Sequence, residues 1–114
     1  MTTYTDAEVA LAVRGALYLE WHRDDEGWWN EWGFVVPEDC LLCECAEFFV
    51  ALLDKCRNLE MRVSLEEYPL SRESVVTIGI IDRGQGVHPN RTLALLLALD
   101  AAKPDGWPKE DARG

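Results

Sequence analysis

Met61-Arg62-Val63-Ser64-Leu65-Glu66 and Val75-Val76-Thr77-Ile78-Gly79-Ile80-Ile81, joined across the turn residues Pro69-Leu70-Ser71-Arg72, decide the fold class. The first segment alternates apolar and polar residues, the period of a strand with one solvated face. The second is β-branched on both alternating sets, which predicts a strand covered on both faces at the centre of its sheet.

Helical patterns lie on either side of this pair. Before it, Leu41, Leu42, Cys45, Phe48, Phe49, Leu52, Leu53 and Cys56 repeat at i, i+4, i+7 and i+8, predicting one long amphipathic helix from Pro37. At about 100° per residue, Cys45 and Cys56 fall on its apolar face, and Cys40 and Cys43 fall among Glu44, Glu47 and Asp54. After the pair, Arg83-Gly84-Gln85-Gly86 reads as a loop, Pro89 suits the first turn of a helix, and residues 93–102 are apolar all round, so this helix must be largely buried. It ends before Pro104. A homodimer could cover part of it, because a lone chain of this length has little surface to bury it.

At the N-terminus, Thr5 and Glu8 have capping-box spacing, and Val9, Val13, Ala16, Leu17 and Trp21 recur helically, predicting a helix from about Asp6 to about His22. Arg23-Asp24-Asp25-Glu26-Gly27 then forms a loop, and Trp32, Phe34 and Val36 alternate as a short strand. The expected fold is α+β: a small antiparallel sheet sandwiched between helices, in the order α-(β)-α-β-β-α. Residues 1–103 would form a single domain, with 104–114 a loosely ordered tail from which Trp107 can dock.

The 114 residues suit one hydrophobic core and leave no length for a second domain. No run approaches the roughly 18 apolar residues of a membrane span, and the N-terminus lacks signal-peptide features, so a cytoplasmic location is expected. There, Cys40, Cys43, Cys45 and Cys56 would be thiols. The net charge of −10 is unevenly spread: residues 1–48 hold eleven acids against Arg14 and Arg23, and the remainder holds ten acids against nine bases. Such a field repels nucleic acid and membrane surfaces and steers basic partners toward the N-terminal half. The plain alternative is that the acidity only keeps the protein soluble.

Few residues form recognisable chemistry. Cys40-Leu41-Leu42-Cys43 has C-x-x-C spacing, with His22 and His88 as further candidate ligands, but a second close ligand pair is missing and Glu38, Asp39 and Glu44 disfavour a thiolate. Neither a metal nor a cofactor is expected, and a structural Cys-metal site stays as an alternative. Asp24-Asp25-Glu26 lacks the calcium-loop spacing, and Ser64, Ser71 and Ser74 lack a nucleophile-elbow context. Gly84 and Gly86 before a helix invite a phosphate-cradle reading, with His88, Asn90 and Arg91 as polar partners, but the rest of a P-loop or dinucleotide fingerprint is absent. Trp28, Trp29 and Trp32 stand among Asp24, Asp25, Glu26 and Glu31, the pattern of an aromatic anchor ringed by charge for a basic partner.

A first helix closing on a Trp (residues 12–21), a Trp-rich loop (27–32), an amphipathic helix (37–58), two strands (61–82) and an Ala/Leu-rich last helix entered through Asn90-Arg91-Thr92-Leu93-Ala94-Leu95 together resemble the phage ABA-sandwich family of small bacteriophage proteins. The similarity spans about residues 6–102. It departs before the first Trp, where Leu19-Glu20 replaces the usual Met-Gly. The resemblance implies a helix-sheet-helix sandwich of phage or prophage origin, in a family whose activity is generally unassigned.

The expectation is a non-enzymatic phage-type accessory protein in a bacterial host cytoplasm. It would bind and inhibit a basic host protein, such as a nucleic-acid-binding component of a defence system, through Asp24, Asp25, Glu26, Trp28, Trp29, Glu31 and Trp32. The alternative is a binder that sequesters a nucleotide signal near Gly84, Gly86, His88, Asn90 and Arg91.

Overall fold

The structure, a computed structural model, describes residues 4–79 and 84–108. Ile80 and Ile81 of the expected central strand, Arg83 of the expected loop and the tail from residue 109 lie outside the described residues.

Helix α1 (Asp6–Tyr18) begins at the expected capping box: Thr5 Oγ1 accepts from the Glu8 amide at 3.1 Å, and Glu8 Oε1 accepts from the Thr5 amide at 2.9 Å. It stops at Tyr18 rather than near His22 because Glu20 takes a left-handed conformation, φ 63°. The Trp21 amide then donates to Ala16 O and the Glu20 amide to Leu17 O, each at 3.0 Å, closing a Schellman motif. Its buried residues are Leu11, Ala12, Gly15, Ala16 and Tyr18; of the expected stripe Ala16 and Trp21 are buried, Val9 and Val13 are half-buried, and Leu17 is 46% exposed. The small residues win because they admit a close helix crossing. A Cβ at Gly15 would stand 2.4 Å from Leu96 Cδ2 and 3.0 Å from Phe48 Cζ, so three helices meet there.

The expected loop and short strand are a three-stranded antiparallel meander, β1 (His22–Asp24), β2 (Gly27–Asn30) and β3 (Gly33–Val36), in the order β1-β2-β3. Its two turns share one chemistry. Asp24 Oδ1 accepts from the Glu26 and Gly27 amides at 2.8 and 3.2 Å, and Asn30 Oδ1 accepts from the Trp32 amide at 2.7 Å. Each turn closes on a glycine with positive φ, Gly27 at 136° and Gly33 at 132°.

The single helix expected from Pro37 is two elements: a 3-10 helix (Asp39–Glu44) and α2 (Ala46–Asn58), divided at Cys45, whose backbone is extended at φ −91°, ψ 116°. The break resets the helical phase, so Cys43 is buried and Cys45 half-buried, the reverse of the expected placement, while Cys56 is buried as expected. Helix α2 ends as α1 does, with Glu60 at φ 58° and the Met61 amide donating to Cys56 O at 2.9 Å. Leu19-Glu20-Trp21 and Leu59-Glu60-Met61 are thus the same helix stop.

The second sheet is β4 (Arg62–Tyr68), β5 (Glu73–Gly79) and β6 (Gly84–His88), antiparallel in the order β4-β5-β6. β5 is central as expected, but its second neighbour is the segment expected to be a loop. Ser74, Val76 and Ile78 of β5 are buried on the face under α3 (Arg91–Ala102), whereas Thr77 on the other face is exposed beside Ser64 and Gln85, so the strand is not covered on both faces. Gly84 and Gly86 let β6 lie directly beneath α3: a Cβ at Gly86 would stand 2.0 Å from Ala94 O, and one at Gly84 2.1 Å from Ala98 O.

The N-cap of α3 is Asn90, whose Oδ1 accepts from the Thr92 and Leu93 amides at 2.8 and 3.1 Å; Pro89 precedes the helix rather than occupying its first turn. Leu93, Leu95, Leu96 and Leu99 are fully buried within the chain, which removes the reason for expecting a dimer along this helix. Residues 104–108 are also held. Trp107 donates to Asp100 Oδ1 at 3.1 Å and packs edge-on against Tyr18 at 5.2 Å between centroids. The fold is α+β with two small three-stranded antiparallel sheets and helices. Among the described residues no helix is long and apolar enough to cross a membrane.

Candidate functional site

The meander presents two faces because side chains alternate along its strands. Trp28 points inward, 2% exposed, and donates its indole N–H to Asp39 Oδ1 at 2.8 Å, while Arg23 donates to Asp39 Oδ2 at 3.0 Å. One carboxylate from the 3-10 helix thus secures both β1 and β2.

His22, Trp29 and Phe34 line up across the other face, paired in register. The His22 and Trp29 rings stack at 6.4 Å with 8° between planes, and Phe34 meets Trp29 edge-on at 5.3 Å. Trp29 is fixed further by donating to Asp24 Oδ1 at 2.9 Å. That hydrogen bond, with the Glu26 and Gly27 amides, holds the Asp24 carboxyl below its ordinary value. Asp24 is therefore engaged inside the meander, whereas Asp25 and Glu26 at the turn tip, and Glu31 at the opposite turn, face solvent.

Trp32 is 87% exposed at the tip of the β2–β3 turn. A lone exposed apolar residue is ordinary on a protein surface. Trp32 is not alone, since Trp29 and Phe34 stand on the adjoining strands. It also lines an open groove of about 580 Å³ between that turn, the end of α1 and the outer side of α2. Its lining includes Leu19, Trp21 and Ala51 together with the acidic residues Glu20, Glu31 and Asp54.

The chain matches no family model, no curated protein and no solved structure.

Sequence reasoning grouped Trp28, Trp29 and Trp32 as one anchor, and the structure separates them: Trp28 in the core, Trp29 on the aromatic face, Trp32 beside the groove. It missed His22, Phe34, Glu20 and Asp54, which the fold brings to the same region. The signal that could have found the meander is the repeated Asx-x-x-Gly of Asp24-Asp25-Glu26-Gly27 and Asn30-Glu31-Trp32-Gly33.

The alternative ligand residues are otherwise engaged. Gly84 and Gly86 sit in a strand under α3 rather than in a cradle. His88 Nδ1 accepts from the Asn90 amide at 2.9 Å, which leaves Nε2 to carry the proton toward Glu8 Oε2 at 2.5 Å. Asn90 caps α3 and donates through Nδ2 to Cys43 O at 2.8 Å, and Arg91 lies over the Phe49 ring at 4.7 Å. The amides a phosphate would use already have a partner.

The C-x-x-C thiols are held protonated. Burial pushes Cys43 up to about 12, aided by the Glu8 charge, and Cys40 is raised by desolvation and its contact with Glu38. Among the described residues no three His, Cys, Asp or Glu side chains gather as a metal site.

Proposed function

We propose that this chain is a binding protein whose acidic, tryptophan-bearing meander captures a basic partner protein and occludes its functional surface. In keeping with the resemblance to small bacteriophage proteins, the partner would be a bacterial host protein, and its occluded surface one that binds nucleic acid. The helix-sheet-helix layering implied by the same resemblance belongs to this proposal.

The observation that carries the reading is Trp32. At about 25 cal/mol per Å² and 150–250 Å² for an aromatic side chain, leaving it in water forgoes about 4–6 kcal/mol of burial that a partner could recover. It stands beside Glu31 on a turn fixed by Asn30 and Gly33, so little ordering is needed on binding. Meanwhile Arg23, the meander's one full cation, is tied to Asp39, leaving the surface field acidic.

The test is co-purification from bacterial extract. The expected result is a basic protein that elutes as salt rises from about 0.15 to about 1 M, where the screening length falls from about 8 to about 3 Å. It should be absent with a chain carrying Asp25→Asn, Glu26→Gln and Trp32→Ala, and nucleic acid should compete for it. A nucleotide or zinc ion retained in native mass spectrometry, with no protein partner, would overturn the reading.

A further inference from the structure

We infer that the groove beside Trp32 receives an arginine side chain of the basic partner. This rests on the binding reading above and specifies which chemistry of the partner the site recognises.

Three features combine. First, the groove, about 580 Å³ and open to solvent, has Leu19, Trp21 and Ala51 among its mostly polar lining. A basic side chain can lay its methylene stem there. Secondly, its lining includes acidic residues from three separate elements: Glu20 after α1, Glu31 at the β2–β3 turn and Asp54 on α2. A forked, five-donor guanidinium can engage carboxylates arriving from different directions, whereas an ammonium acts as a point charge. Thirdly, Trp32 offers an indole with no ring partner among the described residues, and a guanidinium stacks on such a face.

The chain's own cations leave these acids available. Lys55 lies in the groove wall, but its Nζ sits 5.0 Å over the Tyr18 ring. Among the described residues neither Glu20 nor Glu31 forms an ion pair, and Asp54 meets only Arg57, at 3.8 Å, with both side chains more than half exposed. Such a contact is weak enough to exchange for an incoming guanidinium.

The experiment titrates the whole chain by calorimetry with two synthetic octapeptides, one of arginine and one of lysine, at equal ionic strength. The expected result is at least fivefold tighter binding of the arginine peptide. Trp32→Ala should abolish that preference, and Glu31→Gln should weaken binding of the arginine peptide by at least threefold. Both positions are exposed on a turn, and circular dichroism is the control that the variants fold. Equal affinities unchanged by Trp32→Ala, but falling with salt, would overturn the arginine pocket and leave the acidic capture surface standing. Failure of the chain to bind either peptide would overturn the pocket outright. Co-purification of a basic host protein decides the broader reading separately.

Discussion

The Trp28 indole N–H donates to Asp39 Oδ1 at 2.8 Å, and this contact links the interior of the meander to the 3-10 helix. Because Trp28 is buried, removing its acceptor leaves a donor with no access to water. Asp39→Ala should cost about 1–3 kcal/mol in urea denaturation, and Asp39→Asn less, since its carbonyl can still accept. An unchanged urea midpoint for Asp39→Ala would show that the meander is not anchored there.

The glycines differ in what surrounds them. At Gly86 an added Cβ meets backbone, Ala94 O at 2.0 Å and Ala98 N at 2.7 Å, which can yield only by separating β6 from α3. Gly86→Ala should cost about 3 kcal/mol. At Gly15 the neighbours are the side-chain tips of Leu96 and Phe48, both fully buried, so the crowding is softer than against backbone and is offset by the about 1 kcal/mol that alanine gains in helix propensity. Gly15→Ala should fall within about 1 kcal/mol of the parent. Thermal unfolding of the two variants measures the contrast.

Glu20 and Glu60 both sit at positive φ as helix stops, where glycine is free of the Cβ clash. Each Glu→Gly change should stabilise the chain by about 0.5–1 kcal/mol. Only Glu20→Gly should also weaken binding of the arginine peptide, because Glu20 lines the groove and Glu60 does not. Equal effects of the two variants on binding would assign no role to the Glu20 carboxylate.

The Glu8 carboxyl is held below its ordinary value near 4.5, first by the Thr5 amide and then by His88. A carboxylate depressed in the folded state contributes stability that is present above the unfolded value and is lost as pH falls through the folded one. The melting temperature difference between the parent and Glu8→Gln should therefore shrink as pH falls from about 4.5 towards about 3. A difference that does not change across that range would show that Glu8 titrates alike in both states.

How much the sequence disclosed depended on whether a signal was local. The capping box at Thr5 and Glu8 and the all-round apolarity of α3 are read within a few residues and stand as expected; the alternation in β4 found a strand, but only Val63 is half-buried and Leu65 is 39% exposed, so its apolar face is not covered. The break at Cys45 is not local: Leu41 through Cys56 fit one continuous helix, and only burial of Leu42 and Cys43 against the rest of the chain selects two. The stripe on α1 held at Ala16 and Trp21 but missed Leu11, Ala12 and Gly15, since periodicity rewards large apolar residues and the crossing with α2 and α3 favours small ones. Gly84 and Gly86 looked like a flexible loop because composition alone cannot tell a glycine that moves from one that is crowded. As for the candidate site, the acid and tryptophan segment was legible. The groove was not, because it joins residues 19–21, 30–32 and 51–58, which share no spacing.

The meander adjoins the remainder of the described chain chiefly through β3 and the 3-10 helix, while α3 packs on β5, β6 and α1. The residues that would meet a partner are therefore largely separate from those that maintain the fold. Substitution at Asp25, Glu26, Glu31 or Trp32 leaves the buried core intact, whereas Gly84 and Gly86 admit no larger residue without displacing a helix. In a lineage under pressure from a changing target, divergence would concentrate in this short segment, and a new specificity could arise without rebuilding the molecule that carries it.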